Sequence, residues 1–95
     1  MRDIGVYKMI SCSLYDYIEI ACMYHFSIKL TLENGDVING TALDTFYNVG
    51  KEESMKLLCE NGEQTVVLAK LVSMQALVKN PHFDVVEFRH KDRKH

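Results

Sequence analysis

Phe26-Ser27-Ile28-Lys29-Leu30-Thr31-Leu32-Glu33-Asn34-Gly35 is the stretch that sets the fold class. Phe26, Ile28, Leu30 and Leu32 alternate with Ser27, Lys29, Thr31 and Glu33. A period of two puts one face of a strand against a core and the other toward water. Asn34-Gly35 follows, and both residue types tolerate positive φ, so the pair marks a two-residue hairpin turn. Val37 to Phe46 then reads as the returning strand, with Gly40 inside it marking a bulge or sharp bend.

The same grammar continues downstream. Tyr47 to Glu53, with Asn48 and Gly50, reads as a loop, and Ser54 to Cys59 as a third strand. Asn61-Gly62 gives a second hairpin turn into a fourth strand, Gln64 to Leu68. After a break at Ala69-Lys70-Leu71, Val72 to Val78 forms a fifth strand, which Asn80-Pro81 ends. Val85 to Phe88 suits a short additional edge strand.

Upstream, the period changes to that of a helix. Ser13 is a good N-cap, and Asp16 follows three residues later, where an acid favours the positive end of the helix dipole. At about 100° per residue, Leu14, Ile18, Ala21, Cys22 and His25 share one face of a helix over residues 14–24. Asp16, Glu19 and Met23 lie opposite, with Tyr15 on one flank and Ile20 and Tyr24 on the other. One helix before five short, bent strands predicts a mainly β protein, a small barrel capped by the helix. Several strands are apolar on both faces (Met55, Leu57, Leu58; Val66, Val67, Leu68), which a closed or strongly curled sheet accommodates. OB-like and Sm-like barrels both fit this outline.

Ninety-five residues make one domain, read as a lead-in over 1–9, a folded unit over 10–88 and a basic flexible tail over 89–95. Apolar residues are 47% and charged residues 25%, an ordinary globular balance. No apolar run is long enough to span a membrane and no secretory signal is visible at the start. Three cysteines without disulfide-scaffold density fit a reducing cytoplasm. The net charge is −2, but the tail from Arg89 to His95 carries +3, so residues 1–88 carry −5. Between Met9 and Phe88 there are eleven acids against five lysines and no arginine. Phosphate binding needs the opposite balance. An acidic body suits a basic partner, or simply a soluble protein.

No catalytic constellation is present. The histidines, at 25, 82, 90 and 95, make no His-Glu-x-x-His pattern, and neither Cys-x-x-Cys nor a glycine-rich phosphate loop occurs. Cys12, Cys22 and Cys59 lack zinc spacing. Cys22 reads as core and His25 as a packed, hydrogen-bonded residue. Asp16 and Glu19 taken alone read as a solvated helix face. No enzyme, metal or cofactor is expected.

The string Leu14-Tyr15-Asp16-Tyr17-Ile18-Glu19-Ile20-Ala21-Cys22-Met23-Tyr24-His25 carries more. Followed by the alternating strand and Glu33-Asn34-Gly35-Asp36, it resembles the Rho-binding antiterminator family (Rof/YaeO). The resemblance extends through Glu60-Asn61-Gly62-Glu63 and Leu71-Val72-Ser73, over residues 10 to 88. It implies a monomeric Sm-like barrel without catalytic activity, present in the cytoplasm. Its partner would be Rho, a ring-shaped RNA-dependent ATPase, whose primary RNA-binding surface on the N-terminal OB-fold domain it would block.

An OB-fold RNA site offers basic residues for phosphates and aromatic platforms for bases, so a competitor should offer carboxylates and flat rings. Asp16 and Glu19 would engage partner Arg or Lys, and Tyr15 would pack where a base sits. Tyr17, Glu52 and Glu53 are further partner-binding candidates. A fainter resemblance is to the Sm motif: Leu30-Thr31-Leu32-Glu33-Asn34-Gly35, Ile38-Asn39-Gly40 and Asp44-Thr45-Phe46-Tyr47-Asn48. It implies a rival function, an RNA-binding module assembling into a ring, with an RNA pocket on Asp44 and Asn48.

Overall fold

The computed structural model describes residues 12–88, so the expected lead-in and basic tail lie outside the described residues. The helix α1 runs Cys12–Tyr24 and precedes β1 (Ser27–Leu32), β2 (Val37–Tyr47), β3 (Glu53–Cys59) and β4 (Gly62–Val67). A 3₁₀ turn, Leu68–Lys70, then leads into β5 (Leu71–Ala76), and β6 (Val85–Glu87) follows a loop. All strand pairs are antiparallel, in the order β4-β3-β2-β1-β5-β6. The mainly β fold behind a single helix therefore stands. Among the described residues the sheet has six strands, because the short segment at Val85 joins as an edge.

The sheet must curl. Three strands separate β4 from β5 in the sheet, a gap of about 19 Å if it were flat. The chain joins them through Leu68–Lys70 alone, which in 3₁₀ form rises only about 6 Å. Strand β2 supplies much of the bend. Its first half, Val37 to Thr41, pairs with β1, and its second half, Thr41 to Tyr47, pairs with β3. The register slips between Ala42 and Asp44, so the bulge falls at Leu43, not at Gly40 as expected. Gly40 stays in register opposite Ile28. What it supplies is a close approach, because a Cβ there would stand 2.8 Å from Cys59 Sγ and 2.9 Å from the Leu58 carbonyl oxygen.

Both hairpins differ in detail from the two-residue, doubly left-handed turn. The first has a three-residue loop: Gly35 N–H donates to Leu32 O (2.9 Å) and Leu32 N–H to Asp36 O (2.9 Å). Only Gly35 needs positive φ (93°), the arrangement of a type I turn followed by a glycine bulge. Asn34 closes the loop by accepting the Asp36 N–H at 2.9 Å. In the second hairpin, Cys59 pairs with Gly62, which takes φ 118°.

The helix begins at Cys12, so Ser13 lies inside it rather than capping it. It ends in a Schellman motif: Phe26 N–H donates to Ala21 O (3.0 Å) and His25 N–H to Cys22 O (3.2 Å). His25 occupies the left-handed position (φ 53°) that glycine usually takes. Its ring offsets this strain, because Nδ1–H donates to Ala42 O at 2.9 Å and fastens the helix end to β2. The Ala42 N–H in turn donates to Phe26 O at 2.9 Å. The ring is exposed rather than turned toward the core as the helical wheel predicts.

Ile18, Ala21 and Cys22 on α1 pack on Ile28, Leu30, Met55, Leu57, Leu71 and Met74 of the sheet. Each large aliphatic side chain so buried is worth about 1.5–3 kcal/mol. Leu68 closes the core at the β4–β5 turn, and Val86 and Phe88 close it beside β6.

Candidate functional site

The i, i+4 spacing of Tyr15 and Glu19 places both on one flank of α1, where the helix lies against β2. Tyr15 is half-buried; its ring packs against the core and its hydroxyl donates to Thr45 Oγ1 at 3.3 Å. The Thr45 bond pulls the phenol's pKa down, but burial and the carboxylates of Glu53 and Glu19 outweigh it, so the pKa is raised. Three elements thus meet at one ring: α1, β2 and the start of β3. Tyr47, 69% exposed, extends the patch, with its hydroxyl donating to Glu53 Oε2 at 3.4 Å.

Beside this patch runs a cleft between α1 and β2, with Glu19 and Asp44 on its sides, Met23 and Leu43 as apolar walls and Cys22 at its base. Burial pushes the Cys22 thiol up to about 11, helped by the negative charges of Asp44 and Glu19. The thiol is therefore protonated at neutral pH, as the core reading of Cys22 requires. Carboxylates beside apolar walls and phenol rings are what a guanidinium or ammonium on a long aliphatic stem seeks.

The other expected contact residues fall differently. Asp16 is exposed on α1, one turn before Glu19. Tyr17 points to the opposite flank, where its ring meets Phe83 edge-on at 5.7 Å between centroids. Glu52 is exposed in the β2–β3 loop, but its Oε1 accepts from Asn48 Nδ2 (3.2 Å), while its N–H donates to Asn48 Oδ1 (2.9 Å). It helps shape the loop in which Lys51 takes φ 64°. Structure therefore gathers Tyr15, Glu19 and Glu53, and adds Asp44, Thr45 and Tyr47, which sequence reasoning did not place there. The alternation of β2 could have found Thr45 and Tyr47, two residues apart on one face, had the strand been read through to Tyr47.

On the Tyr17 flank, Tyr24 stacks on Phe26 (5.5 Å) and on His82 (5.2 Å), and Phe26 lies near Phe83 (6.0 Å). These rings fasten the Asn80–Phe83 loop to the helix end. The Asp44 and Asn48 pair implied by the Sm motif is used locally: Asp44 Oδ1 accepts the Thr45 N–H at 2.8 Å, and both ends of the Asn48 amide face Glu52. Among the described residues, no three His, Cys, Asp or Glu side chains stand together in a way that could hold a metal ion, and no helix is long and apolar enough to cross a membrane.

Residues 9–88 match the family described as modulator of Rho-dependent transcription termination (ROF). A solved structure of YaeO from Vibrio cholerae O395, described as bound to magnesium, superposes with a TM-score of 0.76 at 43% identity. The alignment covers 79% of this chain and 97% of that one. No curated protein matches the chain.

Proposed function

Because the chain belongs to the family of modulators of Rho-dependent transcription termination, we propose that it is an antiterminator that occupies the primary RNA-binding site on the N-terminal domain of Rho and stops RNA from loading. The observation that carries this reading is the meeting of Glu19 and Glu53 at the Tyr15 ring, with Tyr47 exposed beside them. Carboxylates stand in for phosphates and phenol rings for bases on a surface built to receive both. Asp16 extends the negative face along α1, and Asp44 extends it along β2. Tyr17, on the other flank of α1, and Glu52, in the β2–β3 loop, are second-rank partner contacts. The protein works in the cytoplasm, as a single copy, without catalysis and without touching RNA itself.

The acidic body supports steering toward a cationic groove. Charge pairs at the buried centre of such an interface cost about 2–5 kcal/mol when one partner is removed, and rim pairs far less. Pull-down with purified Rho should therefore weaken strongly for Glu19→Lys and Glu53→Lys, and less for Asp16→Lys, with far-UV circular dichroism unchanged. Undiminished binding by both the Glu19 and Glu53 variants would reject this surface.

A further inference from the structure

An asparagine that precedes glycine is prone to lose its side-chain amide, because glycine leaves the next backbone nitrogen free to swing onto the asparagine Cγ. Three such pairs occur in this chain: Asn34-Gly35, Asn39-Gly40 and Asn61-Gly62. The dipeptides are identical, so any difference in their chemistry comes from the fold.

Asn39-Gly40 lies inside β2, which runs between β1 and β3. Asn39 stands opposite Lys29 and Gly40 opposite Ile28 in the ladder. Ring closure needs the Gly40 peptide to rotate out of that ladder. There is no room for it, since even a Cβ on Gly40 would stand 2.8 Å from Cys59 Sγ and 2.9 Å from the Leu58 carbonyl oxygen. At Asn34 each participating group is tied instead. Its Oδ1 accepts the Asp36 N–H at 2.9 Å and its Nδ2 donates to Asp36 Oδ2 at 3.1 Å. The attacking nitrogen would be that of Gly35, whose N–H donates to Leu32 O at 2.9 Å.

Asn61 differs from both. It is exposed at the turn between β3 and β4, and its side chain makes no hydrogen bond among the described residues. Gly62 is held by its pairing with Cys59, the last rung of the ladder, and open space surrounds it where a Cβ would stand. We propose that Asn61 is a modification site, at which the folded chain sheds ammonia and becomes a mixture of aspartyl and isoaspartyl residues while Asn34 and Asn39 are spared. The Gly62 amide gives its proton to solvent base, and the nitrogen lone pair bonds to Asn61 Cγ. The bond from Cγ to the amide nitrogen breaks, and that nitrogen takes up a proton and leaves as ammonia. Water then opens the resulting succinimide. Attack at Cγ gives aspartate, and attack at the Asn61 backbone carbonyl gives isoaspartate, with one extra methylene in the main chain. Either product sets a new carboxylate between Glu60 and Glu63. The proposal is independent of the Rho reading, because this turn lies at the opposite end of β3 from Glu53.

The test is to age the full chain in warm neutral buffer and follow each asparagine by tryptic digestion and fragment mass spectrometry. The peptide that follows Lys56 should gain about one dalton at Asn61, faster as pH rises. Asn34 and Asn39 should react at least about tenfold more slowly, since bonds or packing must give way first. An isoaspartyl methyltransferase supplied with labelled S-adenosylmethionine should label aged wild type and leave an aged Asn61→Gln variant nearly unlabelled. In denaturant the three asparagines should react at similar rates. Reaction of folded Asn34 or Asn39 as fast as Asn61, or an unchanged Asn61 after the denatured chain has reacted, would overturn the proposal.

Discussion

Tyr15, Cys22 and His25 show how single residues bind the helix to the sheet and shape the acidic face. Burial and the nearby Asp44 and Glu19 hold the Cys22 thiol at about 11, against an ordinary 9.0. Tyr15 is raised in the same direction. Between about 9 and about 11 the unfolded chain releases the thiol proton more readily than the folded one, so it binds fewer protons and alkali favours unfolding. This contribution to stability is complete below about pH 9 and is lost as pH rises through the folded value. Thermal midpoints should therefore fall across that window, and a Cys22→Ala variant should show a shallower fall. Equal slopes for the two proteins would remove Cys22 from the explanation. Tyr17, two positions along the helix from Tyr15, lies on the other flank, with its ring edge-on to Phe83. Helical angles separate it from Tyr15, but no local pattern tells which strand lies beside either flank.

At the scale of elements, the junction of α1 with β2 depends on His25. The ring bond to Ala42 O at 2.9 Å accompanies a left-handed backbone that a non-glycine residue reaches at a cost of about 1 kcal/mol. His25→Ala keeps the strain and loses the bond, so it should destabilise the fold by about 1–2 kcal/mol in urea melts. His25→Gly relieves the strain while losing the bond and should fall between that variant and wild type. A His25→Ala midpoint equal to wild type would show that the bond contributes nothing. Strand identity was legible because Ile28, Leu30 and Leu32 alternate so regularly, and both glycine turns fell where the pattern put them. The bulge was not: Gly40 signals close approach and bulge alike, and only the partner register shows that Leu43 is the extra residue. The fifth strand ended at Ala76, short of Val78, because β6 needs the loop from Leu77 to turn back along β5.

For the whole molecule, the curl of the sheet brings α1, the second half of β2 and the start of β3 onto one side, which no local segment could have announced. Sequence named Tyr15, Glu19 and Glu53 as partner residues, but Glu53 lies 34 positions from Glu19, and only the fold brings both to the Tyr15 ring. Asp44 and Tyr47 join them through the same topology. The most direct measurement is displacement of a fluorescently labelled single-stranded RNA from Rho, followed by anisotropy as this protein is titrated in. Wild type should release the RNA competitively, with potency that falls as salt rises because opposite charges are screened. The Glu19→Lys, Glu53→Lys double variant should leave the RNA bound at concentrations where wild type has displaced it. RNA that remains on Rho while wild-type protein binds alongside, or displacement by the double variant at wild-type potency, would contradict the account.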